Sequence, residues 1–459
     1  MYTYITLSNV VRIQNPPEHL VKYCENNFKV NNPEYIAKKR IGLWTGDIPK
    51  IMYLYKYHKS KGLLQIPIGL FNEIKGLLDH NTLQYLVDLA DMEKANINAN
   101  IPLYDYQEKA VDEMAKAGYG ILQSKAGSGK TQIGIALACK LGYRTLWLTH
   151  TQDLLKQSYN RALQYIPKEK LGKITEGKVE LGEITFATVQ TMCSLNLHNY
   201  KYCFNTVIVD ECHRVAGTPS KSTQFSKVLT SLAARHKYGL SATLHRADGL
   251  ERCMYAQLGN IAYKVPDIAT SDKVMTVKVK RVDTNITYDD IDDCYDTDGT
   301  LIYSKFITAL GECEKRNNVI KNIVDSLSNR QVLILSDRVG HLKHLKSMIS
   351  GSELLVGSTK ASEREDIINR AKRGEINVVL STFALAKEGL DIPCLTDLII
   401  ATPIKDYAVV VQSIGRIARV LDNKPQPVVY DLVDNIPKCY KMFLQRLRHY
   451  KKSGCEICQ

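Results

Sequence analysis

The residues best equipped for chemistry lie in one run, Leu122-Gln123-Ser124-Lys125-Ala126-Gly127-Ser128-Gly129-Lys130-Thr131. Gly127 and Gly129, alternating with Ala126 and Ser128, leave room for backbone N–H groups to close around phosphate oxygens. Lys130 then suits the β and γ oxygens of a nucleotide, and the Thr131 hydroxyl suits Mg²⁺. The general pattern has glycine where this chain has Ser124. A second cluster, Thr206-Val207-Ile208-Val209-Asp210-Glu211-Cys212-His213, runs an apolar strand straight into two carboxylates. That order puts Asp210 where it can hold Mg²⁺ and Glu211 where it can polarise an attacking water. Upstream, Leu103-Tyr104-Asp105-Tyr106-Gln107 offers an aromatic, Tyr104, to stack on a base and an amide, Gln107, to pair with adenine. Far downstream, Arg416 and Arg419 sit three apart in Val411-Gln412-Ser413-Ile414-Gly415-Arg416-Ile417-Ala418-Arg419 and share a helical face.

These groups need rigid elements behind them. The apolar run 119–122 predicts a strand and 132–141 a helix, so the glycine loop lies between strand and helix. The same alternation recurs: a helix over 108–117, a strand at 145–151 with a helix over 153–163, strands at 184–191, 206–209 and 238–243, and, after a break near 264–272, strands at 331–338, 354–360 and 377–382. Strands alternating with helices predict parallel α/β sheets. Hydroxyls and amides at strand ends, Thr149, Thr188, Gln190, Thr359 and Thr382, together with Arg246, are candidates for contacts to a phosphate backbone that carry no base information. Residues 1–98 hold no nucleotide motif and predict a small mixed α+β domain. Its segment Tyr55-Lys56-Tyr57-His58-Lys59 could stack on and attract nucleic acid, although a solvated hairpin accounts for it equally well.

Composition sets outer bounds. The 459 residues allow about three domains. A net charge of +13 and a pI near 9.0 favour a polyanionic partner. Twelve cysteines without a framework point to a reducing cytoplasm. No apolar run reaches the length of a membrane span. Asp296-Thr297-Asp298-Gly299 mimics part of a calcium loop, but Cys294 and Lys305 occupy its first and last ligand positions, which excludes it. Cys455 and Cys458 have no second cysteine pair to complete a zinc site.

Taken in order, the glycine loop, Asp210-Glu211-Cys212-His213 and Ser241-Ala242-Thr243 resemble the first motor domain of a superfamily-two, DEAD/DEAH-box-type helicase. Arg246-Ala247-Asp248-Gly249 is similar to the XPB and phage UvsW-like branch, and Gln412 through Arg419 matches the helicase arginine pattern Gln-x-x-Gly-Arg-x-x-Arg. The resemblance implies two tandem RecA-like domains, 99–265 and 272–440, preceded by an accessory domain, 1–98, and followed by a helix and tail, 441–459. It implies ATP in the cleft between the two motor domains and DNA, single-stranded, duplex or forked, across both, with RNA as an alternative. On this resemblance Gly389, Asp391 and Gln412 join the nucleotide site, and Lys130, Asp210, Glu211, Arg416 and Arg419 carry hydrolysis. The implied activity is an ATP-dependent DNA helicase or translocase in the cytoplasm of a bacterial or phage-infected cell. The alternative is a duplex-remodelling or strand-annealing translocase. Tyr104 stands where such proteins often carry arginine. The accessory domain is expected to select substrate and to be removable without loss of hydrolysis. A phosphate-loop kinase or GTPase would leave the second domain and its paired arginines without use.

Overall fold

The computed structural model describes residues 2–78, 83–95, 97, 99–175, 177–246, 248–266, 274–388 and 390–458. Gly389 and the centre of the expected interdomain break lie outside the described residues. The chain divides into two compact units, one running to Pro266 apart from the three loop residues 126–128, the other from Asp267 to Gln459.

The first unit holds an eight-stranded sheet in the order Lys178–Glu180, Leu171–Thr175, Ile184–Thr188, Thr145–Thr149, Thr206–Asp210, His236–Ser241, Gly120–Gln123, Ile261–Lys264. Every pairing is parallel except that of the edge strand Lys178–Glu180. The strands Thr145–Thr149, Ile184–Thr188 and Thr206–Asp210 are buried along their whole length, which explains why they read as continuous apolar runs rather than alternating ones. Helices Lys130–Leu141, Gln152–Leu163 and Asp105–Ala117 supply the alternation, each one to three residues longer at its N-terminus than its apolar pattern suggests.

The N-terminal residues form a five-stranded, mostly antiparallel sheet in the order Lys56–His58, Leu63–Ile66, Val11–Gln14, Thr3–Leu7, Leu83–Val87, only the last pairing being parallel. Lys56–His58 is an exposed strand of a hairpin. This small domain shares its core with the motor domain rather than standing apart behind a linker. Its core of Ile5, Val11, Ile13, Leu20 and Leu64 continues into Cys253 and Ala256 of the motor helix Glu251–Leu258. At Gly69 a Cβ would lie 2.3 Å from the Tyr255 carbonyl oxygen and 2.5 Å from the Gly259 nitrogen, so only glycine permits that approach. Polar ties surround the apolar contact. Asp88 accepts from Ser8 Oγ at 2.8 Å, Lys201 Nζ at 2.9 Å and Tyr202 OH at 2.7 Å, and Glu73 pairs with Arg252 at 2.5 Å. Hydrogen bonds from Tyr202 and Lys201 hold the Asp88 carboxyl down to about 2.

The second unit carries a seven-stranded, wholly parallel sheet in the order Ser352–Leu355, Val378–Thr382, Val332–Ser336, Asp397–Ile400, Val428–Val433, Lys278–Asp283, Glu456–Cys458. The last helix runs from Pro437 to Lys452, and the strand after it closes one edge of this sheet. Two wholly buried ion pairs anchor the unit. Arg316 Nε meets Asp434 at 2.8 Å, and Arg446 grips both Asp431 oxygens at 2.9 and 2.7 Å, with Tyr450 OH adding a third bond at 2.7 Å. Removing one partner of such a pair costs about 3–5 kcal/mol because a charge is left buried alone.

All twelve cysteines are free thiols. Among the described residues no cluster of His, Cys, Asp or Glu could hold a metal, and no helix is long and apolar enough to cross a membrane.

Candidate functional site

In the first unit, strand order brings the sequence motifs together. Thr206–Asp210, His236–Ser241 and Gly120–Gln123 are consecutive neighbours, with Asp210 beside Leu240 and Ser241 beside Gln123. The acidic pair, the Ser241 hydroxyl and the glycine loop therefore leave the sheet at the same carboxyl edge, where open parallel sheets bind ligands. Gly127 and Gly129 have φ of 84° and 77°, left-handed values open to glycine at little cost. Gly129 caps helix Lys130–Leu141, so Lys130 and Thr131 occupy its first turn, where free N–H groups and the helix dipole favour anions.

Asp210 ends its strand 95% buried, its carboxyl within reach of Ser158 Oγ at 3.5 Å. Burial raises this carboxyl well above its usual range, the Glu211 charge adds to the rise, and the Lys130 ammonium pulls against it. Thr131 and Asp210 offer only oxygen donors, and a divalent cation would offset the charge that burial penalises, so the pair fits Mg²⁺.

Glu211 has φ 50° and ψ 51°, a left-handed conformation unusual for a residue with a Cβ. Its Oε2 lies 3.2 Å from His213 Nδ1 and accepts from Ser241 Oγ at 3.4 Å, while Ser241 Oγ lies 3.1 Å from His213 Nδ1 and 2.7 Å from the Thr243 carbonyl oxygen. The Asp-Glu-Cys-His turn and the Ser-Ala-Thr strand end are thus joined through one hydroxyl and one imidazole.

Gln107 is buried beside the loop, and a Cβ at Gly129 would lie 2.5 Å from its Nε2. Its Oε1 accepts the Tyr104 N–H at 3.0 Å, and its Nε2 donates to Tyr106 OH at 3.4 Å. Tyr104 is half exposed and stacks on Tyr106 with ring centroids 5.9 Å apart. The stacked aromatic pair thus lies next to an amide whose oxygen serves the helix start.

In the second unit, Arg419 pairs with Asp391, and Lys372 lies 3.3 Å from the same carboxylate. Burial acts to raise Asp391, but the two cations overcome it and hold the carboxyl down to about 2. The helix Tyr407–Ile417 ends before Arg419, which lies in extended backbone, so the two arginines do not share the expected helical face; Arg416 Nε donates to the Ala386 carbonyl at 2.9 Å. Gln412 is buried, and its Oε1 meets no partner among the described residues. Sequence reasoning missed Lys424, whose Nζ donates to the carbonyls of Pro393, Ile417 and Arg419 at 2.9, 2.8 and 2.9 Å and so ties down the backbone carrying Arg419. No spacing in the sequence signals it.

Several proposed phosphate contacts have other work within the fold. Thr149 and Thr188 are buried, Thr149 Oγ1 donating to the Thr151 carbonyl at 3.1 Å and Thr188 Oγ1 accepting the Thr191 N–H at 3.2 Å. Thr382 accepts from the Leu385 N–H at 3.4 Å, and Thr359 from the Val356 N–H at 3.0 Å. Strand-end hydroxyls here satisfy the orphan N–H groups of turns and helix starts. Arg246 is likewise engaged, bidentate on Asp248 at 2.9 and 2.6 Å and donating to the His213 carbonyl, which braces the acidic turn. Gln190 is exposed, with Nε2 3.5 Å from His150 Nδ1.

The geometry agrees with the comparisons. Residues 100–246 match the family described as the type III restriction enzyme res subunit, and residues 314–421 match the helicase conserved C-terminal domain. L396 of Acanthamoeba polyphaga mimivirus, provisionally named an ATP-dependent RNA helicase, is 27% identical over 348 residues, covering 71% of this chain and 62% of that protein. The DNA 3'-5' helicase XPB of Mycobacterium tuberculosis is 24% identical over 311 residues, covering 63% of this chain and 53% of that protein. The matched region thus spans less than two thirds of either relative. The structure of Saccharomyces cerevisiae Dbp5 bound to RNA and ADP BeF3 aligns with a TM-score of 0.55 at 16% identity, over 77% of this chain and 88% of that one, which shows the shared two-domain RecA-like fold. Loop, acidic turn, Ser-Ala-Thr strand end and paired arginines, on two parallel α/β sheets and within two matched helicase regions, make this chain a member of the superfamily-two helicases.

Proposed function

We propose that this chain is a nucleic-acid-stimulated ATPase that couples hydrolysis to movement along, or unwinding of, DNA. The observation that carries the proposal is the convergence on one sheet edge of Lys130, at the start of the helix that follows strand Gly120–Gln123, with Asp210 and Glu211, at the end of strand Thr206–Asp210. Lys130 and the loop amides bind and orient the triphosphate. Mg²⁺ held through Thr131 and Asp210 would supply charge neutralisation at the phosphate oxygens. Glu211, steadied by Ser241 and His213, orients the attacking water and accepts its proton. A P–O bond forms to that water as the γ-phosphate parts from its bridging oxygen. Arg416 and Arg419 are assigned to the charge that spreads over the phosphoryl oxygens, which requires Arg419 to exchange Asp391 for phosphate. DNA is favoured by the similarity to proteins named as XPB, and the name of L396 makes RNA the substrate to compare.

The test is turnover of purified variants beside direct nucleotide binding. Lys130→Ala should weaken binding. Arg419→Ala should bind nucleotide and lose turnover by about 10³ or more, with little rescue by Arg419→Lys because a point charge cannot replace the planar fork. Full turnover in Arg419→Ala would remove the arginine from the reaction.

A further inference from the structure

The N-terminal domain carries an exposed feature that neither the helicase motifs nor its own core accounts for. After helix Pro33–Arg40 the chain runs through a loop, 41–50, in which Trp44 is 74% exposed, flanked by Ile41 at 68% and Leu43 at 55%. The other tryptophan, Trp147, is fully buried. An indole in water forfeits one of the largest burial gains any side chain offers, so its exposure calls for an explanation. Nor does it hang loose: a Cβ at Gly46 would lie 2.3 Å from Trp44 Cζ2 and 2.6 Å from Cε2, so the ring rests against the Gly46 backbone and leaves the rest of its surface open.

The charge around it is positive. Lys38, Lys39 and Arg40 close the helix and Lys50 closes the loop, against Glu34 and Asp47. Glu34 is already committed, with Lys221 at 2.7 Å and Lys38 at 3.6 Å, and hydrogen bonding to Lys221 lowers its carboxyl. Arg40 and Lys50 have no ion-pair partner among the described residues. The Glu34–Lys221 bridge also ties this helix to the turn Thr218–Lys221, a few residues beyond the acidic pair.

We propose that Trp44 is a stacking platform for an unpaired nucleobase, with Lys39, Arg40 and Lys50 receiving the flanking phosphates. An aromatic face with cations beside it matches single-stranded nucleic acid, which presents a π-face and a charge at every nucleotide. The site rests on the reading that this chain acts on nucleic acid, and it adds a single-strand contact outside the motor sheets, on the same compact unit as Lys130 and the acidic pair.

The chain's own tryptophans provide the assay. Emission of the full chain should be quenched by oligothymidylate or oligouridylate and not by an abasic strand of equal length, because Trp147 is shielded and only Trp44 can meet a base. Trp44→Ala should weaken binding of a labelled oligothymidylate by roughly tenfold, and Trp44→Phe by much less. Equal affinity in Trp44→Ala, or strand binding with unchanged tryptophan emission, overturns the platform while leaving strand-stimulated hydrolysis, and so the motor, standing. A blue shift with phosphatidylserine vesicles and no response to strands would make the loop a membrane contact and overturn the proposal. Absence of both strand binding and strand-stimulated hydrolysis would sink platform and motor together.

Discussion

Glu211 combines the proposed water-polarising role with a left-handed backbone, and the two can be separated by substitution. A residue with a Cβ pays about 1–2 kcal/mol in this conformation, whereas glycine loses about 0.5–1 kcal/mol more than alanine on ordering. The difference favours glycine by about 0.5–1 kcal/mol at this position, the reverse of the usual order in regular structure. Glu211→Ala and Glu211→Gly both remove the carboxylate and its contacts to Ser241 and His213, so comparing them isolates the backbone. In a Trp44→Phe background the buried Trp147, in the central strand Thr145–Thr149, reports unfolding of the first unit alone in urea. Glu211→Gly should unfold at higher urea than Glu211→Ala, and both should lack turnover. Glu211→Gln, which keeps the side-chain shape, should retain nucleotide and lose about 10²–10⁴ in rate, the usual contribution of a positioned base. Alanine more stable than glycine by 0.5 kcal/mol or so would refute the strain reasoning, and normal turnover in Glu211→Gln would refute the chemical role.

Burial pushes His341 down to about 3, and its neutral ring fits between Ser336 Oγ at 3.0 Å and Asn317 Oδ1 at 2.9 Å. That stability is fully present above the ordinary histidine value near 6.5 and is lost by about 1.4 kcal/mol per pH unit as pH falls from there toward 3. Hydrogen exchange in Val332–Ser336 should show this slope, and His341→Gln should flatten it. Lys424→Met should strand three carbonyls, destabilise the second unit by about 2–4 kcal/mol and lower turnover by loosening the Arg419 backbone; unchanged exchange around Arg419 would contradict this. Deleting residues 1–98 should expose Cys253 and Ala256 and break the Glu73–Arg252 and Asp88–Lys201 pairs, giving an unstable or aggregating first unit rather than an active motor with altered preference. A soluble truncation with intact basal hydrolysis would show the small domain to be dispensable.

The parts legible from sequence are those where chemistry restricts residue type at short spacing. The glycine loop, the acidic pair after an apolar strand and the parallel sheets all follow from local pattern, because a strand buried on both faces must be apolar throughout. Less legible were residues whose role depends on partners distant in sequence. Nothing near Arg246 indicates that its guanidinium turns inward to the His213 carbonyl, and nothing near Thr188 separates a phosphate contact from a helix cap. The fusion of the N-terminal domain to helix Glu251–Leu258 is set by packing across some two hundred residues, beyond the reach of any periodicity. Trp44 was overlooked for the opposite reason: its exposure, which makes it informative, is invisible until the fold is known.

Lys130, Asp210 and Glu211 are assigned to an ATPase site that answers to nucleic acid. The most direct measurement is phosphate release by the full chain without nucleic acid and with single-stranded DNA, duplex, fork or RNA, at several salt concentrations. Hydrolysis should be stimulated by at least one of these and abolished by Lys130→Ala, with stimulation that weakens steeply as salt rises because phosphate contacts dominate binding. A rate indifferent to every nucleic acid, or one that survives Lys130→Ala, would contradict this assignment.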